Sequence, residues 1–422
     1  MNFKLLSAAA IMAAFLIPGP GLAAANAPVS AVRAAPAPGL WIERGRASDG
    51  ASALIGVLRR AQLDGLDSGP ALAARADALL QRAASGDTVA ADEAEQLLST
   101  AWVRYVQALE RPVPGVEYAD GWAKPRQQTA AQILARAKAA PSLARHIAEV
   151  SAVNPVYARL RDSAWNARQF GTGLPDARVL ASLERVRHAP KTSRYVLVDA
   201  ASAKLWMVEG NRIVDEMPVI TGQAGKRTPM IASTLYYATL NPYWNVPQDM
   251  VREMIAPRVI DQGIAYLTTR EYEVLETSGG GAVALDPASI DWRAVAAGAQ
   301  KVKLRRKPGE WNSMGRMKFG FANSSDIFLH DTPDKSLFGK EERNISAGCI
   351  RLSDAPRFAR WLLQGQPAAA SGEAEQHVAL PGPVPVYITY LTAHATAGGE
   401  IAFVDDVYGM DRNRGTAIAG LR

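Results

Sequence analysis

The stretch Ile327-Phe-Leu-His-Asp-Thr-Pro-Asp-Lys-Ser-Leu-Phe338, followed by Arg343-Asn-Ile-Ser-Ala-Gly-Cys-Ile-Arg-Leu-Ser353, is the most informative part of this 422-residue chain. It contains Cys349, the only cysteine, and it places His330 at the end of a predicted strand. A cysteine between small residues with a histidine within reach predicts a nucleophile and its base. The alternative is that Cys349 is a small buried hydrophobic residue, which is common for a free cysteine.

The first residues have the pattern of an export signal. Lys4 precedes an apolar run from Leu5 to Ile17, and the small-residue stretch 23–27 offers a cleavage site, so residues 1–25 are predicted to be a signal peptide. An exported protein with one cysteine cannot form an internal disulfide, which leaves the thiol to be explained in another way. The mature chain is expected in the periplasm, with an uncleaved membrane anchor as the alternative.

Composition limits the classes of partner. A hydrophobic fraction of 48% can supply a sizeable core, and the formal net charge of +6 favours anionic polymers or carboxylate-rich peptides. A generically basic surface explains the charge equally well. No nucleic-acid-binding motif is present, so nucleic acid is not expected as a partner. With five histidines and no CxxC or HExxH motif, we expect neither a metal site nor another cofactor.

The first half of the chain has a helical pattern. Residues 26–40 are rich in Ala and Pro and are predicted to be a linker. Residues 41–190 have apolar residues at helical spacing, for example Leu98, Trp102 and Tyr105. Because no catalytic constellation occurs there, we interpret this segment as an α-helical scaffold domain.

The pattern changes to short strands after residue 190. Residues 191–412 are predicted to form a mostly-β domain, with a hairpin turn at Glu209-Gly210-Asn211 and a tail at 413–422. Residues 255–300 look less regular and are predicted to be an insertion that acts as a lid. The fold class is therefore multidomain α+β. Strands are expected at Tyr195–Val198, Lys204–Val208, Arg212–Val214, Ile327–His330 and Val386–Leu391.

The residues around Cys349 suggest how its thiol could be activated. A nearby imidazole, His330, can take the thiol proton or pair with the thiolate. The backbone N–H groups of Gly348 and Cys349 are candidates for an oxyanion hole. A helical turn beginning at Ile350–Arg351 would add a favourable dipole.

These motifs resemble the catalytic signature of the L,D-transpeptidases (YkuD-type domain), and most closely the large, scaffold-bearing type of the Gram-negative periplasm. The similarity covers about half of the chain strongly and the helical half more loosely. Further segments similar to that type are Leu183–Arg187, Met217–Gly222, Arg227–Pro229, Asn241–Pro247, Arg306–Gly309, Gly315–Phe319 and Val386–Thr392.

The chain departs from the family pattern in two places. The family often has His directly before the Gly-Cys pair, where this chain has Ala347, so proton transfer would rest on His330. Many relatives also carry a peptidoglycan-binding module between scaffold and catalytic domain, but residues 164–182 are too few for one. Substrate docking would then come from the catalytic domain, its lid or the scaffold.

The resemblance implies a two-step acyl transfer in peptidoglycan. Cys349 would attack the carbonyl between the third stem residue, usually diaminopimelate, and the terminal D-Ala of a tetrapeptide donor. The amine of another stem's third residue would then take the acyl group from the thioester. His330 would act as base, acid and base again. Asp331 would orient it, more through its backbone than its side chain, while Ser346 and Gly348 shape the turn.

The resemblance also suggests substrate-binding residues. Arg343 and Arg351 would meet substrate carboxylates, with loop-fixing ion pairs as the alternative of equal weight. Tyr243 and Trp244 would line the donor groove, although core aromatics would be equally unsurprising. Thr332 belongs to the same group of expected contacts.

The sequence does not identify the molecule that accepts the acyl group. Water would make the protein an L,D-carboxypeptidase or crosslink hydrolase, and an amine on an outer-membrane protein would make it an anchoring transferase. Other wall synthases are possible partners, and carbapenems are expected to acylate the cysteine. A non-catalytic peptidoglycan-binding protein would need neither Cys349 nor His330. A serine hydrolase is disfavoured because no G-x-S-x-G motif occurs.

Overall fold

A computed structural model of the chain describes residues 39–43, 45–170, 176–187, 192–276, 283–365 and 372–411. All of these residues fall in one compact unit. The predicted signal peptide, nearly all of the predicted linker and the predicted tail lie outside them. No helix in the described ranges is long and apolar enough to cross a membrane.

Helices dominate the described chain up to residue 187, as the apolar spacing predicts. Polar side chains begin several of them; Asp87, for example, accepts a hydrogen bond from the Ala90 N–H at the start of α3. The helices are α1 Asp49–Arg60, α2 Gly69–Ala84, α3 Thr88–Leu109, α4 Ala130–Ala139, α5 Leu143–Ala152, α6 Pro155–Phe170 and α7 Ala177–Val186.

Strands dominate the rest of the described chain, which confirms the predicted α+β class. Three short strands lie within the helical part, namely β1 Ile42–Glu43, β2 Arg46–Ala47 and β3 Glu117–Tyr118. The others are β4 Arg194–Asp199, β5 Lys204–Glu209, β6 Arg212–Gly222, β7 Ile231–Leu240, β8 Trp244–Asn245, β9 Tyr272–Leu275, β10 Ala284–Leu285, β11 Lys303–Arg306, β12 Met317–Gly320, β13 Phe328–His330, β14 Asn344–Ser346, β15 Ile350–Leu352, β16 Gln376–Thr389, β17 Ala393–Ala395 and β18 Ile401–Phe403.

Strand β12 closes the main sheet into a barrel. The strands follow the order β12-β13-β15-β6-β5-β4-β16-β7, and β12 pairs with both β13 and β7. Side chains alternate across each strand, so one set fills the barrel and the other faces outward. On β4, Val196 and Val198 belong to the barrel core, whereas Tyr195 and Leu197 pack in a second core with α6 and α7.

The β5–β6 hairpin turns where the sequence predicts. Gly210 and Asn211 both have positive φ, at 53° and 62°. This conformation suits a two-residue turn between twisted antiparallel strands, and Gly and Asn tolerate it best. The turn fixes the register that places β6 beside β15.

The region predicted as an irregular lid is regular. Residues 244–306 contain a four-stranded sheet of order β10-β9-β11-β8 and a hydrophobic core of their own, so the expectation of irregular structure is wrong. Its ordered elements begin before and end after the predicted bounds of 255–300, and its movement as a lid stays a prediction. The helices in this insertion are α8 Gln248–Met250, α9 Ala256–Gln262, α10 Ala265–Thr268 and α11 Trp292–Ala296, with a π-helical segment at Val251–Ile255.

The helical part is joined to the barrel by hydrogen bonds as well as by the shared core. Strand β3 pairs in parallel with β7. Thr234 Oγ1 donates to Asp120 Oδ2 at 2.6 Å, and the Ser324 N–H donates to Glu117 Oε1 at 2.6 Å. A final helix, α12 Ala355–Leu362, packs on the barrel core.

A buried carboxylate holds the helical part together. Asp64 accepts hydrogen bonds from the hydroxyls of Tyr105 at 3.0 Å and Tyr157 at 2.6 Å, and it lies 3.9 Å from the buried guanidinium of Arg161. Asp64→Ala is expected to lower the free energy of unfolding by about 3 kcal/mol, because it leaves two buried tyrosine hydroxyls without their acceptor and removes a negative charge from beside Arg161. Chemical denaturation measures this change.

The matched control is the exposed ion pair between Asp77 and Arg59, whose N–O distance is 2.8 Å. Asp77→Ala should change the free energy of unfolding by less than about 1 kcal/mol, since exposed pairs contribute little. Equal effects of the two substitutions would contradict a structural role for the buried carboxylate.

Candidate active site

Cys349 lies in the short turn between β14 and β15, with its side chain partly exposed. Its thiol approaches the Asp326 carbonyl oxygen at 3.6 Å. The residues that follow it form β15, which runs parallel to β13. The expected helical turn at Ile350–Arg351 is therefore wrong, and no helix dipole acts on the thiol from that side.

The β13–β15 register brings the cysteine and the histidine to one face of the sheet. Leu329 pairs with Ile350 and His330 pairs with Arg351. Leu329 and Ile350 are fully buried in the barrel core. Because side chains alternate along a strand, His330, Arg351 and Cys349 lie on the opposite, outer face. We call this surface the catalytic face.

The His330 ring is fixed by a backbone carbonyl. Its side chain is buried, and Nδ1 lies 2.5 Å from the Asp331 carbonyl oxygen. A carbonyl only accepts hydrogen bonds, so Nδ1 carries the proton and Nε2 has the free lone pair. Burial, aided by the Arg351 charge, lowers the pKa of His330 to about 3. The imidazole is therefore neutral near pH 7.

The Asp331 side chain holds the backbone around the histidine. Its carboxylate accepts from Lys335 Nζ at 2.6 Å and from the Arg316 N–H at 3.0 Å. A Cβ on Gly315 would lie 2.4 Å from Asp331 Oδ2, so only glycine leaves room for this contact. Asp331 thus contacts the His330 ring through its backbone, as predicted from sequence, and its carboxylate braces the neighbouring segments.

Ser346 and Gly348 shape the cysteine turn. Ser346 Oγ donates to the Cys349 carbonyl oxygen at 2.7 Å and accepts from the Gly348 N–H at 3.1 Å. The Gly348 N–H is therefore occupied, which corrects its expected place in an oxyanion hole. The Cys349 N–H remains the candidate donor.

A network that sequence reasoning missed supports this turn from behind. Thr228 Oγ1 donates to the Gly348 carbonyl oxygen at 2.6 Å and accepts from the Gly222 N–H at 2.8 Å. The Tyr408 hydroxyl donates to the Gly222 carbonyl oxygen at 2.7 Å and accepts from the Thr228 N–H. The segment Arg227-Thr-Pro229 is one of the family-like segments of the sequence, but no local signal points to its partner Gly348.

The thiol is also neutral in this structure. Burial raises the pKa of Cys349, and the positive charges of Lys318 and Arg351 oppose this rise without reversing it. The thiol and the imidazole of His330 are thus both neutral near pH 7. Lys318 is a second neighbour that the sequence analysis did not assign, although it pairs with His330 across β12 and β13.

The predicted substrate-binding arginines differ in their surroundings. Arg351 lies on the catalytic face beside His330, and none of the ion pairs within the described ranges involves it. Arg343 donates instead to backbone carbonyls, including those of Val219 at 3.3 Å and Ser202 at 3.2 Å. Its geometry favours a loop-fixing role, through hydrogen bonds to carbonyls rather than through the ion pairs expected.

The predicted aromatic residues lie at the start of the insertion. Trp244 is 9% exposed and belongs to the insertion's core, which favours the core-aromatic alternative. The Tyr243 ring stacks under the Arg305 guanidinium at 4.0 Å. Thr332 is buried at the end of the histidine strand.

An ion pair links the insertion to the cysteine turn. Lys226 Nζ lies 2.5 Å from Asp249 Oδ2 on α8. The carbonyl oxygens of Lys226 and Arg227 lie beside Gly348, within 4 Å of where its Cβ would be. The insertion is thus tied to the loop that borders the turn. Within the described ranges, no group of three or more His, Cys, Asp or Glu side chains is arranged to hold a metal ion.

The charge state of the pair predicts how the thiol reacts with a small electrophile. The rate of alkylation of Cys349 by iodoacetamide should be low near pH 7. It should rise only at pH values above the ordinary pKa of a thiol, because burial raises the pKa of Cys349. Intact-mass measurement across pH gives the profile. Chain unfolded in denaturant is the control and should follow an ordinary thiol pKa of about 8.5. A fast rate that stays constant below neutral pH would indicate a thiolate–imidazolium pair instead.

Gly348 should tolerate no side chain. Its φ is +120°, and an added Cβ would lie 3.1 Å from Ile327 Cδ1. Gly348→Ala is expected to cost about 1–3 kcal/mol of unfolding free energy through backbone strain. Gly339→Ala is the control, at the end of a 3-10 helix that precedes β14, where an added Cβ meets nothing within 4 Å. Equal unfolding midpoints for the two variants in denaturant would contradict the strained turn.

Two family models match separate parts of the chain. Residues 193–386 match the YkuD model, described as an L,D-transpeptidase catalytic domain, and residues 37–163 match the Scaffold domain model. A curated Haemophilus influenzae protein named "Putative L,D-transpeptidase" is 30% identical over 239 residues, which are 54% of this chain and 47% of that protein. The chain thus aligns with about half the length of this relative.

Solved structures of the same kind are distant. An L,D-transpeptidase from Mycobacterium smegmatis is 16% identical, with a TM-score of 0.23 over 47% of this chain and 58% of its own. L,D-transpeptidase 3 from Mycobacterium tuberculosis is 10% identical, with a TM-score of 0.24 over 47% and 61%. Because these TM-scores are low, the assignment of the two domains rests on the family models. The chain therefore carries an L,D-transpeptidase catalytic domain of the YkuD family at residues 193–386, preceded by a Scaffold domain at residues 37–163.

Proposed function

We propose that this protein is a peptidoglycan L,D-transpeptidase, which joins the third residues of two stem peptides through a thioester on Cys349. The observation that carries the proposal is the arrangement on the catalytic face. The His330 ring is held by the Asp331 carbonyl with Nε2 free, on the same face as the only thiol of the chain. Nucleophilic acyl transfer needs a base close to the thiol, and the shared face supports this pairing.

The first half-reaction forms the thioester. The Cys349 thiol gives its proton to His330 Nε2 as Sγ attacks the carbonyl carbon between diaminopimelate and the terminal D-Ala. The Cys349 N–H is the candidate donor to the oxyanion. The carbon–nitrogen bond then breaks, and the imidazolium returns the proton to the leaving amine. D-Ala leaves with its amine restored, and His330 is neutral again.

The second half-reaction transfers the acyl group. The side-chain amine of another stem's third residue attacks the thioester carbon and loses a proton to His330 Nε2. The carbon–sulfur bond breaks, and the Cys349 thiolate takes that proton back. Each proton that the ring accepts is thus returned within the same half-reaction, so one imidazole suffices for both. This agrees with Ala347 standing where relatives often have a second histidine.

The neutral state of the pair fits this mechanism. A thiol that ionises only as it attacks is protected from unrelated electrophiles, because the thiolate is the reactive form. Burial keeps the ring neutral, so Nε2 keeps its lone pair throughout the physiological range. Proton transfer in this mechanism then takes place as a bound substrate is attacked.

We propose the periplasm as the location. The export pattern in residues 1–25 supports this, as does a lone thiol that cannot be consumed in an internal disulfide. The formal net charge of +6 is suited to the carboxylate-rich wall.

The proposal is tested with purified protein and a tetrapeptide stem that ends in D-Ala. We expect release of D-Ala and formation of dimers linked between third residues. Mass spectrometry detects both products. A carbapenem should add its mass to Cys349. His330→Ala should slow D-Ala release by about 10²–10⁴-fold through loss of the base.

Cys349→Ala is the control, and it should abolish both D-Ala release and the carbapenem adduct. D-Ala release without dimers would instead identify a carboxypeptidase. Peptide binding with neither release nor adduct would identify a non-catalytic wall-binding protein.

A further inference from the structure

The loop between β12 and β13 contacts the candidate nucleophile. It consists of residues 321–327, and we call it the thiol loop. The Asp326 carbonyl oxygen lies 3.6 Å from Cys349 Sγ, with the thiol as the hydrogen-bond donor. Because a carbonyl oxygen only accepts, this contact orients the thiol proton and favours the neutral thiol over the thiolate.

The backbone of Asp326 is held in an uncommon conformation. Its φ is +52°, in the left-handed region that residues with a Cβ seldom adopt, although Asp tolerates it better than most. Such a conformation persists where the surrounding contacts hold it. The position of the Asp326 carbonyl beside the thiol therefore depends on how the thiol loop is anchored.

The base of the thiol loop is anchored within the catalytic domain. Asn323 Nδ2 donates to the Ile327 carbonyl oxygen at 2.7 Å, which closes the loop on itself. Ser233 Oγ, on β7, donates to the Ala322 carbonyl oxygen at 2.7 Å. These contacts fix the base of the loop, whereas its tip at 324–326 reaches toward the helical part.

The tip of the thiol loop is held by Glu117, which lies within the Scaffold domain match at residues 37–163. The Ser324 N–H donates to Glu117 Oε1 at 2.6 Å, and Ser324 Oγ donates to Glu117 Oε2 at 2.9 Å. Hydrogen bonds to a carboxylate are stronger than those between neutral groups. The Glu117 backbone is itself fixed by the pairing of β3 with β7, so both carboxylate oxygens hold Ser324 from a firm support.

The groups around the thiol come from several elements. Burial is the main reason that the pKa of the thiol is raised, and the charge of Asp326 adds to the rise. The Phe328 N–H on β13, Lys318 on β12 and Arg351 on β15 oppose it, and His330 is neutral. The opposing groups belong to strands and would stay if the thiol loop were released. Release would remove only groups that favour the neutral thiol, so the pKa of the thiol should fall.

We propose that Glu117 is a positioning residue for Cys349, because it holds Ser324 and thereby keeps the Asp326 carbonyl against the thiol. The Scaffold domain then contributes to the catalytic site instead of only preceding it in the chain. The consequence for acyl transfer rests on the proposed function, whereas the effect on the thiol does not.

Alkylation of the full protein by iodoacetamide, followed by intact mass across pH, tests this inference without turnover. In Glu117→Ala the rate near pH 7 should rise by about 2–10-fold, the size expected for one neutral hydrogen bond. The pH profile should move to lower pH. Release of D-Ala from the tetrapeptide stem should fall in the same variant, because the thiol is no longer held in place.

Two variants serve as controls. Asp120→Ala removes another hydrogen bond between the helical part and the barrel, donated by Thr234 Oγ1 at 2.6 Å. Because Thr234 lies on β7 and not in the thiol loop, this variant should keep the parent alkylation profile. Glu117→Gln should also stay close to the parent, since its amide oxygen can still accept from the Ser324 N–H. Unfolding midpoints in denaturant are measured for every variant, and a merely structural role would lower the midpoint without moving the alkylation profile.

The outcomes distinguish this inference from the proposed function. An unchanged or slower alkylation of Glu117→Ala would overturn the inference, even if the parent protein releases D-Ala. Equal shifts in Glu117→Ala and Asp120→Ala would also overturn it, because any loosening of the helical part would then suffice. A shift confined to Glu117→Ala, in a protein that releases no D-Ala, would support the inference and overturn the proposed activity.

Discussion

The parallel pairing of β13 with β15 is the constraint on which the candidate site depends. Its register sends Leu329 and Ile350 into the barrel and leaves His330 and Cys349 on the outer face. A shift of one residue would bury the reactive groups and expose the core, because side chains alternate along a strand. The register is secured from both sides, since β12 joins β13 to β7 and β6 holds β15. Barrel closure therefore positions the pair.

Burial on this face determines how the site works. His330 is enclosed, and its Nδ1 is held by the Asp331 carbonyl, so the ring is neutral and points a free lone pair outward. Hydrogen bonds from Ser346 and Thr228 hold the turn that carries Cys349. Such supporting contacts keep a reactive constellation in place before substrate binds. In the proposed mechanism a substrate draws the proton across, and no pre-formed ion pair is needed.

Local sequence pointed to Cys349 and His330 as a candidate pair and to the backbone contact of Asp331, because these residues lie close together in the chain. It failed where the partners are distant. Thr228 meets Gly348 across 120 residues, and Lys318 meets His330 only through strand pairing. The helical turn expected after Cys349 was wrong because Ile350 is needed as a β15 residue of the barrel core. Tertiary burial outweighed local propensity there.

The sequence by itself determined which groups can react: one thiol, one nearby imidazole, and a helical half followed by a mostly-β half. These follow from residue identity and from the periods of apolar residues, which are local properties. The tertiary structure alone decided the protonation states, the support of the cysteine turn and the position of Lys318 beside His330. Desolvation and cross-strand contact arise only when distant segments pack together, and the charge state of His330 and Cys349 follows from that packing.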